Sequence, residues 1–409
     1  MSENIIKRHV YLDRIREFID KPEVKIITGM RRSGKTEFLK MIRDEIKARA
    51  DVDDTHIIYI NFEDIDFEDI ISSKELNNYM RDKIKDDKRY YIFLDEIQLV
   101  KDWEKSVNGL RLKNTDIYVA GSNSKIMSEE LATLLGGRTV SLRIHTLSFK
   151  EFIEFRKTSG IGSDDLDSEL ETYIKIGGFP RLSVIKYTEN GAREVVKEIN
   201  STALLKDVIV RHKIRQPQLL DKLVAFLYDN IGGLVSVRSI VNCIKKQGRK
   251  ADPETIANYM HYLEDGFLIQ RAQRYDVKGR KLLETNDKYY LSDHSQQYAV
   301  RGFREDKIQF VLENIVFNDL VRRGYSVYVG KFDVREIDFV AEKQNGEKIY
   351  VQVCMQFSTE DVYKREFGPL KEIKDNFPKY VVSLDRFANR NDEGVVGINL
   401  KDFLLKDSL

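Results

Sequence analysis

The nine residues GMRRSGKTE at positions 29–37 leave a chain few folds to choose from. They stand between a β-rich run, KIITGM (25–30), and a helical stretch, TEFLKMIRDEIKAR. Gly29, Gly34, Lys35 and Thr36 complete the pattern G-x-x-x-x-G-K-[ST] in the strand-then-helix setting that a phosphate-binding loop needs. Glycines let the backbone curl until its N–H groups converge on a polyphosphate, and the helix N-terminus adds its positive end. The expected cradle is Gly29, Met30, Arg31, Arg32, Ser33, Gly34, Lys35 and Thr36. In it Lys35 bridges the β- and γ-phosphates of ATP and Thr36 ligates Mg²⁺.

Such a loop belongs to a parallel sheet, and the flanking sequence supplies one. HIIYINF (56–62), YYIFLDEI (90–97), DIYVAGS (116–122) and RTVSLRIHTL (138–147) are β-rich, with helical stretches such as KELNNYMRDKIK between them. Short continuous apolar strands separated by helices imply a sheet covered on both faces, an α/β class. YYIFLDEI ends in Asp95-Glu96, two carboxylates at the strand edge where α/β ligand sites lie. Asp95 is expected to hold Mg²⁺ through water, and Glu96 to orient and deprotonate the attacking water. DIYVAGSN ends in Ser122 and Asn123. Asn123 there is either a sensor that hydrogen-bonds the γ-phosphate or the water, or an ordinary turn former. LLGGR sets Arg138 just before the fifth strand, either as a finger for transition-state charge, in cis or from a neighbouring subunit, or as a plain surface arginine.

Four stretches, GMRRSGKT, LDEIQLVKDWEKSVNGL, VAGSNSKIMSEELATLLGGRTVSLRIHTLSFKEF and YIKIGGFPRL, together resemble the prokaryotic AAA-type ATPases that carry a DUF4143 region. The resemblance covers most of the chain. It implies an AAA+-like sheet with the sensor strand between the strands of the two Walker motifs. It also implies nucleotide-handling roles for Lys35, Thr36, Asp95, Glu96, Asn123 and Arg138. IHTLSF departs from the pattern, which has a proline before Leu-Ser-Phe; the departure touches the linker and not the nucleotide site.

The remaining chain divides by pattern. The expected domains are a P-loop ATPase domain (1–148), a helical lid or linker (149–212), a winged helix-turn-helix (213–296) and a small α/β domain (305–409). Gly-Gly-Phe-Pro at 177–180 marks a turn or joint. In 216–292 three helices precede a hairpin, and the third has Asp252 as N-cap and Pro253 at its first position. Residues 242–281 hold nine Lys/Arg against five Asp/Glu. The cations cluster at the second helix end (Lys245, Lys246, Arg249, Lys250) and on the wing (Arg271, Arg274, Lys278, Arg280, Lys281), which suits phosphate contacts that position a duplex. The third helix turns Thr255, Asn258, His261 and Tyr262 outward and offers no arginine to a guanine edge, so non-specific DNA binding or protein docking fits better than sequence reading. A winged helix used only for packing is the plain alternative.

REIDFVAEKQNGEKIYVQVCMQ predicts a hairpin. Ile337, Phe339 and Ala341 on one strand, and Ile349, Val351 and Val353 on the other, must share a core face, so Phe339 should oppose Val351. A three-residue loop, 344–346, with Gly346 left-handed, gives that register and puts Glu336, Asp338, Gln352 and Cys354 on the opposite face. Asp338 with Gln352 two residues before Cys354, preceded by Glu313 on a helix, resembles the PD-(D/E)xK nuclease fold. That family places a lysine where Cys354 stands. Lys331, Arg335, Lys348, Lys364 and Arg365 lie near in sequence as replacements. Glu313, Asp338 and Gln352 therefore read as a vestigial site that binds without cutting.

Net charge is only +1 with a third of the residues charged, so a nucleic-acid surface must be a local patch. Cys243 and Cys354 match no metal-ligand spacing and fit a reducing compartment. No apolar stretch reaches the roughly 20 residues of a membrane span, and no signal-peptide pattern opens the sequence. The expectation is a cytoplasmic AAA+-like ATPase that uses ATP and Mg²⁺. It acts on or is regulated by non-specific DNA, or by a protein partner or homo-oligomer. The rival readings are an ATP-dependent endonuclease and a nucleotide-dependent protein-docking switch.

Overall fold

Five apolar runs build one parallel sheet: β1 (Val24–Thr28), β2 (Ile57–Asn61), β3 (Tyr90–Asp95), β4 (Thr115–Gly121) and β5 (Thr139–Arg143), in the order β2-β3-β4-β1-β5. The structure, a computed structural model, describes residues 6–127, 135–246, 248, 251–302, 305–356, 359–386 and 388–409. Helices α1 (His9–Arg16), α2 (Lys35–Lys47), α3 (Ser73–Lys83) and α4 (Trp103–Leu110) cover the sheet. Alternate residues of each strand feed opposite cores. Ile92 and Leu94 pack with Leu76 and Met80 of α3 and Val107 of α4. Tyr91 and Phe93 pack with Leu12 of α1 and Phe38 and Ile42 of α2. Both faces are apolar, which is why these strands read as continuous hydrophobic runs rather than as alternation. β4 lies between β3 and β1, the placement the resemblance implied.

The contacts divide the chain into two units: residues up to His145 with Asp265–Phe267, and Thr146–Glu264 with Leu268–Leu409. The second unit contains α5 (Phe149–Thr158), α6 (Leu166–Ile176), α7 (Glu189–Ala203), α8 (Pro217–Asp229), α9 (Val237–Lys246) and α10 (Pro253–Asp265, all but its last residue). α10 begins where its cap chemistry predicts, with Thr255 N–H donating to Asp252 Oδ2 at 2.9 Å. Ile256, Met260 and Leu263 form its buried stripe and Thr255, Asn258 and His261 face outward, whereas Tyr262 stacks on His212 at 3.8 Å between ring centroids.

The strands that follow are β6 (Leu234–Val235), β7 (Ile269–Asp276), β8 (Lys281–Leu291), β9 (Ser326–Phe332), β10 (Arg335–Glu342), β11 (Lys348–Cys354), β12 (Lys379–Ser383), β13 (Arg390–Asp392) and β14 (Val395–Asn399). All nine share one sheet, in the order β13-β14-β12-β11-β10-β9-β7-β8-β6. The join is the parallel pairing of β7 with β9, Arg274 opposite Val329 and Asp276 opposite Lys331. The sheet thus runs across the expected boundary at 297–304. The expected wing and the expected C-terminal domain share a ladder, because β9 would otherwise present an unpaired edge. α11 (Ile308–Arg322) is buried all round between Val311 and Leu320, and α12 (Glu360–Glu372) packs against β11, β12 and β14.

The β10–β11 hairpin has the predicted register: Phe339 opposes Val351, Gly346 has φ 84°, and Lys343 N–H donates to Glu347 O across the three-residue loop. Its faces differ from expectation in one place. A bulge between Ile337 and Val340 puts Ile337 in one apolar cluster with Val340, Tyr350 and Cys354, while Phe339 meets Tyr290 and Phe317. Cys354 packs with Phe367, Leu370 and Val381, and burial pushes its thiol up.

Candidate nucleotide site

The loop at 29–36 adopts its curl at the C-terminal end of β1. Gly29 has φ 147°, and a Cβ there would lie 2.2 Å from the carbonyl oxygen of Ile144. Gly34 has φ 100° and hands the chain to α2 at Lys35. Arg32, at φ 67°, also takes a left-handed conformation. Met30 is buried, Arg31 pairs with Glu63 at 3.2 Å, and the buried Ser33 Oγ has no hydrogen-bond partner among the described residues. Lys35 lies at the first position of α2, its ammonium donating to Gly29 O (3.0 Å) and Met30 O (3.1 Å).

β3 brings the carboxylates to the same strand edge. Asp95 is fully buried, with the Thr36 side chain near enough to favour its charged form. Tyr59 O–H donates to Asp95 Oδ2 at 3.3 Å, and Glu96 N–H to Oδ1 at 3.1 Å. Burial pushes the Asp95 carboxyl up to about 6 despite the opposing pull of Thr36 and Lys35, and the Glu96 charge adds to the rise. Glu96 is strained into a left-handed conformation (φ 53°) and accepts a hydrogen bond from Gln98 Nε2. Ser122 and Asn123 are buried just past β4, between the ends of β3 and β1.

A curled loop whose Gly29 leaves no room for a Cβ, an unpartnered buried hydroxyl on Ser33 and the buried Asp95 carboxylate suit a nucleoside triphosphate with its magnesium. Thr36 and Asp95 would hold the ion, whose chemistry would be to neutralise charge on the phosphate oxygens.

Arg138 does not join this site within one chain. Its carbonyl accepts from Val24 N–H at the start of β1, so it stands at the opposite edge of the sheet. The five residues of β1 separate that edge from the loop, about 16 Å at the usual strand rise. Placement before the fifth strand was legible in the sequence. That a parallel strand starts at the edge away from its neighbour's loop excludes the cis finger. Residues 128–134, which include much of the expected helix before LLGGR, lie outside the described residues.

Motif reading missed Arg8. It is buried, donates to Ser33 O (3.2 Å) and His145 O (2.8 Å), and lies over the Tyr11 ring. It therefore ties the loop's backbone to the end of β5. An arginine in KRHVYLD carries no signal of that contact. Tyr59 and Gln98 were missed for the same reason, since each acts through a partner on another strand or turn.

The second candidate cluster lies on unit two. Glu313 on α11 and Asp338 on β10 are buried beside each other's charge, and Gln352 on β11 accepts from Asp338 N–H through Oε1 at 3.2 Å. On the expected wing, Arg271 is paired with Asp287 at 2.6 Å and Lys278 with Asp333 at 2.5 Å. Arg280 and Lys281 are exposed, while Arg249 and Lys250 lie outside the described residues.

Residues 21–153 match the model of an AAA domain, and residues 167–307 match a domain of unknown function, DUF8612. The second match replaces the DUF4143 region that the sequence motifs suggested. An uncharacterized protein of Haemophilus influenzae is 36% identical over 408 residues, covering 99% of this chain and all of that protein. The uncharacterized protein MJ1544 of Methanocaldococcus jannaschii is 33% identical over 395 residues, covering 93% of this chain and 85% of that protein. The chain belongs to their family. Its first third is an AAA-type P-loop domain. Among solved structures, the Walker-type ATPase PABY2304 of Pyrococcus abyssi superposes with a TM-score of 0.52 at 16% identity, over 73% of this chain and 97% of that one. At that identity the likeness is one of fold. Among the described residues no helix is long and apolar enough to cross a membrane.

Proposed function

We propose that this family member binds ATP with Mg²⁺ and hydrolyses it at the β1–β3–β4 edge. One observation carries the reading: the buried Asp95 carboxylate at the end of β3, held by Tyr59 O–H and Glu96 N–H, close to the charge of Lys35 at the head of α2. In this reading the backbone from Gly29 to Thr36 cradles the phosphates, Lys35 leaves its loop carbonyls for phosphate oxygens, and Glu96 takes the proton of the attacking water. Gln98 holds Glu96 in place, and Asn123 orients the water or the γ-phosphate. Lys35→Ala should abolish nucleotide binding, and Glu96→Gln should retain binding while lowering turnover by about 10²-fold or more. Wild-type hydrolysis that survives Lys35→Ala would sink the reading. Arg138 serves a neighbouring subunit's nucleotide or none. Specific activity that rises with protein concentration in the wild type but not in Arg138→Ala would support the former.

A second reading, that unit two contacts nucleic acid non-specifically, is supported by a groove of about 460 Å³ lined by Lys278, Arg280, Lys348 and Lys374 and by Tyr275 and Phe377, where four cations outnumber the carboxylates of Glu372 and Asp375. Cations for phosphates and rings for bases suit a single strand. ATPase rates with and without single- and double-stranded DNA test it, with Arg280→Glu as the control. Weak binding that does not fall as salt rises would favour a protein partner instead.

A further inference from the structure

The position where the PD-(D/E)xK resemblance calls for lysine is Cys354, where the nearby Arg365 is paired with Glu366 at 2.7 Å. The cation that pairs with the carboxylates of the cluster is Lys288 on β8, from the hairpin expected to be a wing. Its ammonium is buried, 2.7 Å from Glu336 Oε1, 3.6 Å from Glu313 Oε2 and 3.9 Å from Asp338 Oδ1. The strands that bring them together are far apart in sequence but lie in one sheet, and α11 supplies Glu313 against it.

The donors a divalent ion would need are turned to protein. Asp338 Oδ2 accepts from Val353 N–H at 2.8 Å. Gln352 Oε1 accepts from Asp338 N–H at 3.2 Å. Glu313 takes Tyr290 O–H at 3.4 Å on Oε2 and Gln309 Nε2 at 3.5 Å on Oε1. Glu313 is also confined: a Cβ at Gly232 would lie 2.9 Å from its Oε2. Among the described residues no group of three or more His, Cys, Asp or Glu side chains is arranged to hold a metal. With the Lys288 ammonium facing the oxygens that remain, the donor set does not fit the ion that the nuclease resemblance implies.

We propose that Lys288 is the resident cation of this pocket: its ammonium stands among Glu313, Glu336 and Asp338 where a nuclease would hold a divalent ion, and so shuts the C-terminal site to metal-dependent phosphodiester cleavage. The electrostatics agree. Burial opposes the Lys288 charge, yet Glu313, Asp338 and Glu336 together push its pKa up. Burial pushes Asp338 and Glu313 up as well, and Lys288 opposes the rise at both. The inference is independent of the nucleotide site.

The test is Mn²⁺ binding to the nucleotide-free full chain, read by electron paramagnetic resonance. Wild type and Asp338→Asn should bind the same number of Mn²⁺ ions. Lys288→Met should gain an ion that Lys288→Met/Asp338→Asn lacks. A wild-type ion lost in Asp338→Asn overturns the proposal, and so does a folded Lys288→Met that gains none. Mg²⁺-dependent cutting of plasmid DNA by wild type that Lys288→Met abolishes also overturns it, since Lys288 would then be the nuclease lysine. If Lys288→Met does not fold, the comparison of wild type with Asp338→Asn decides alone.

Discussion

Two buried sites tie the stability of the units to charge. Lys25 and Asp116 form an ion pair with no exposed surface, and Asp116 also accepts from Tyr118 O–H at 3.0 Å and Asp20 N–H at 2.8 Å. Asp116→Ala strands the ammonium and should destabilise the first unit by about 3–5 kcal/mol in urea unfolding. Lys25→Met with Asp116→Leu should recover part of that loss, because neither variant residue is left charged in the core. His294 is the second case. Burial lowers its pKa, Asp293 and the hydrogen bond to Tyr173 O (2.8 Å) oppose that, and Arg322 assists it. A depressed histidine contributes stability that is present above the unfolded value of about 6.5 and is lost as pH falls below it. The second unit's stability should therefore fall as pH drops below about 6.5, by at most about 1.4 kcal/mol per pH unit from this group. His294→Gln should flatten that slope in thermal unfolding. At this scale the sequence showed Lys35, Thr36 and Asp95, whose proposed roles follow from position in a motif. It hid Arg8 and Lys288, whose roles follow from whatever the fold brings beside them.

Elements show the same division. The Gly-Gly-Phe-Pro segment was legible as a turn or joint, but the structure supplies what closes it. Asp293 Oδ2 accepts Gly178 N–H at 2.9 Å, Asp293 Oδ1 accepts from Ser295 Oγ, and Leu147 N–H donates to Gly178 O at 2.7 Å. Gly177 has φ 80°, and a Cβ there would lie 2.2 Å from Asp293 Oδ1. Gly177→Ala should cost about 2 kcal/mol or more, and Asp293→Ala about 1–3 kcal/mol, both measured by denaturant midpoint. The β10–β11 register could be worked out in advance because period-2 alternation and one glycine over-determine it. The bulge that moves Ile337 to the other face could not, since a bulge leaves the composition of a strand unchanged.

For the whole molecule, the consequential feature is the nine-stranded sheet shared by 234–291 and 326–399. A chain ending at 304 would leave β7 without β9 and expose an unpaired edge. It should be largely insoluble or self-associated on size-exclusion chromatography, whereas two separable domains would leave it soluble and monomeric. The same sheet explains why Lys288 reaches a carboxylate cluster built by α11 and β10, and why the expected wing is not free to swing as a separate hairpin.

What the amino-acid sequence determined by itself was the glycine-rich loop after β1, the carboxylates at the end of β3 and a covered parallel sheet. Their determinants are local, a turn chemistry and a hydrophobic period, and they stand in consecutive residues. Only the tertiary structure decided that Arg138 lies at the wrong edge for its own chain's loop, that two expected domains are one sheet, and that the cation among Glu313, Glu336 and Asp338 comes from position 288. Those outcomes depend on which distant strands pair, and strand pairing is settled by the burial of whole faces and edges rather than by the residues of either strand alone.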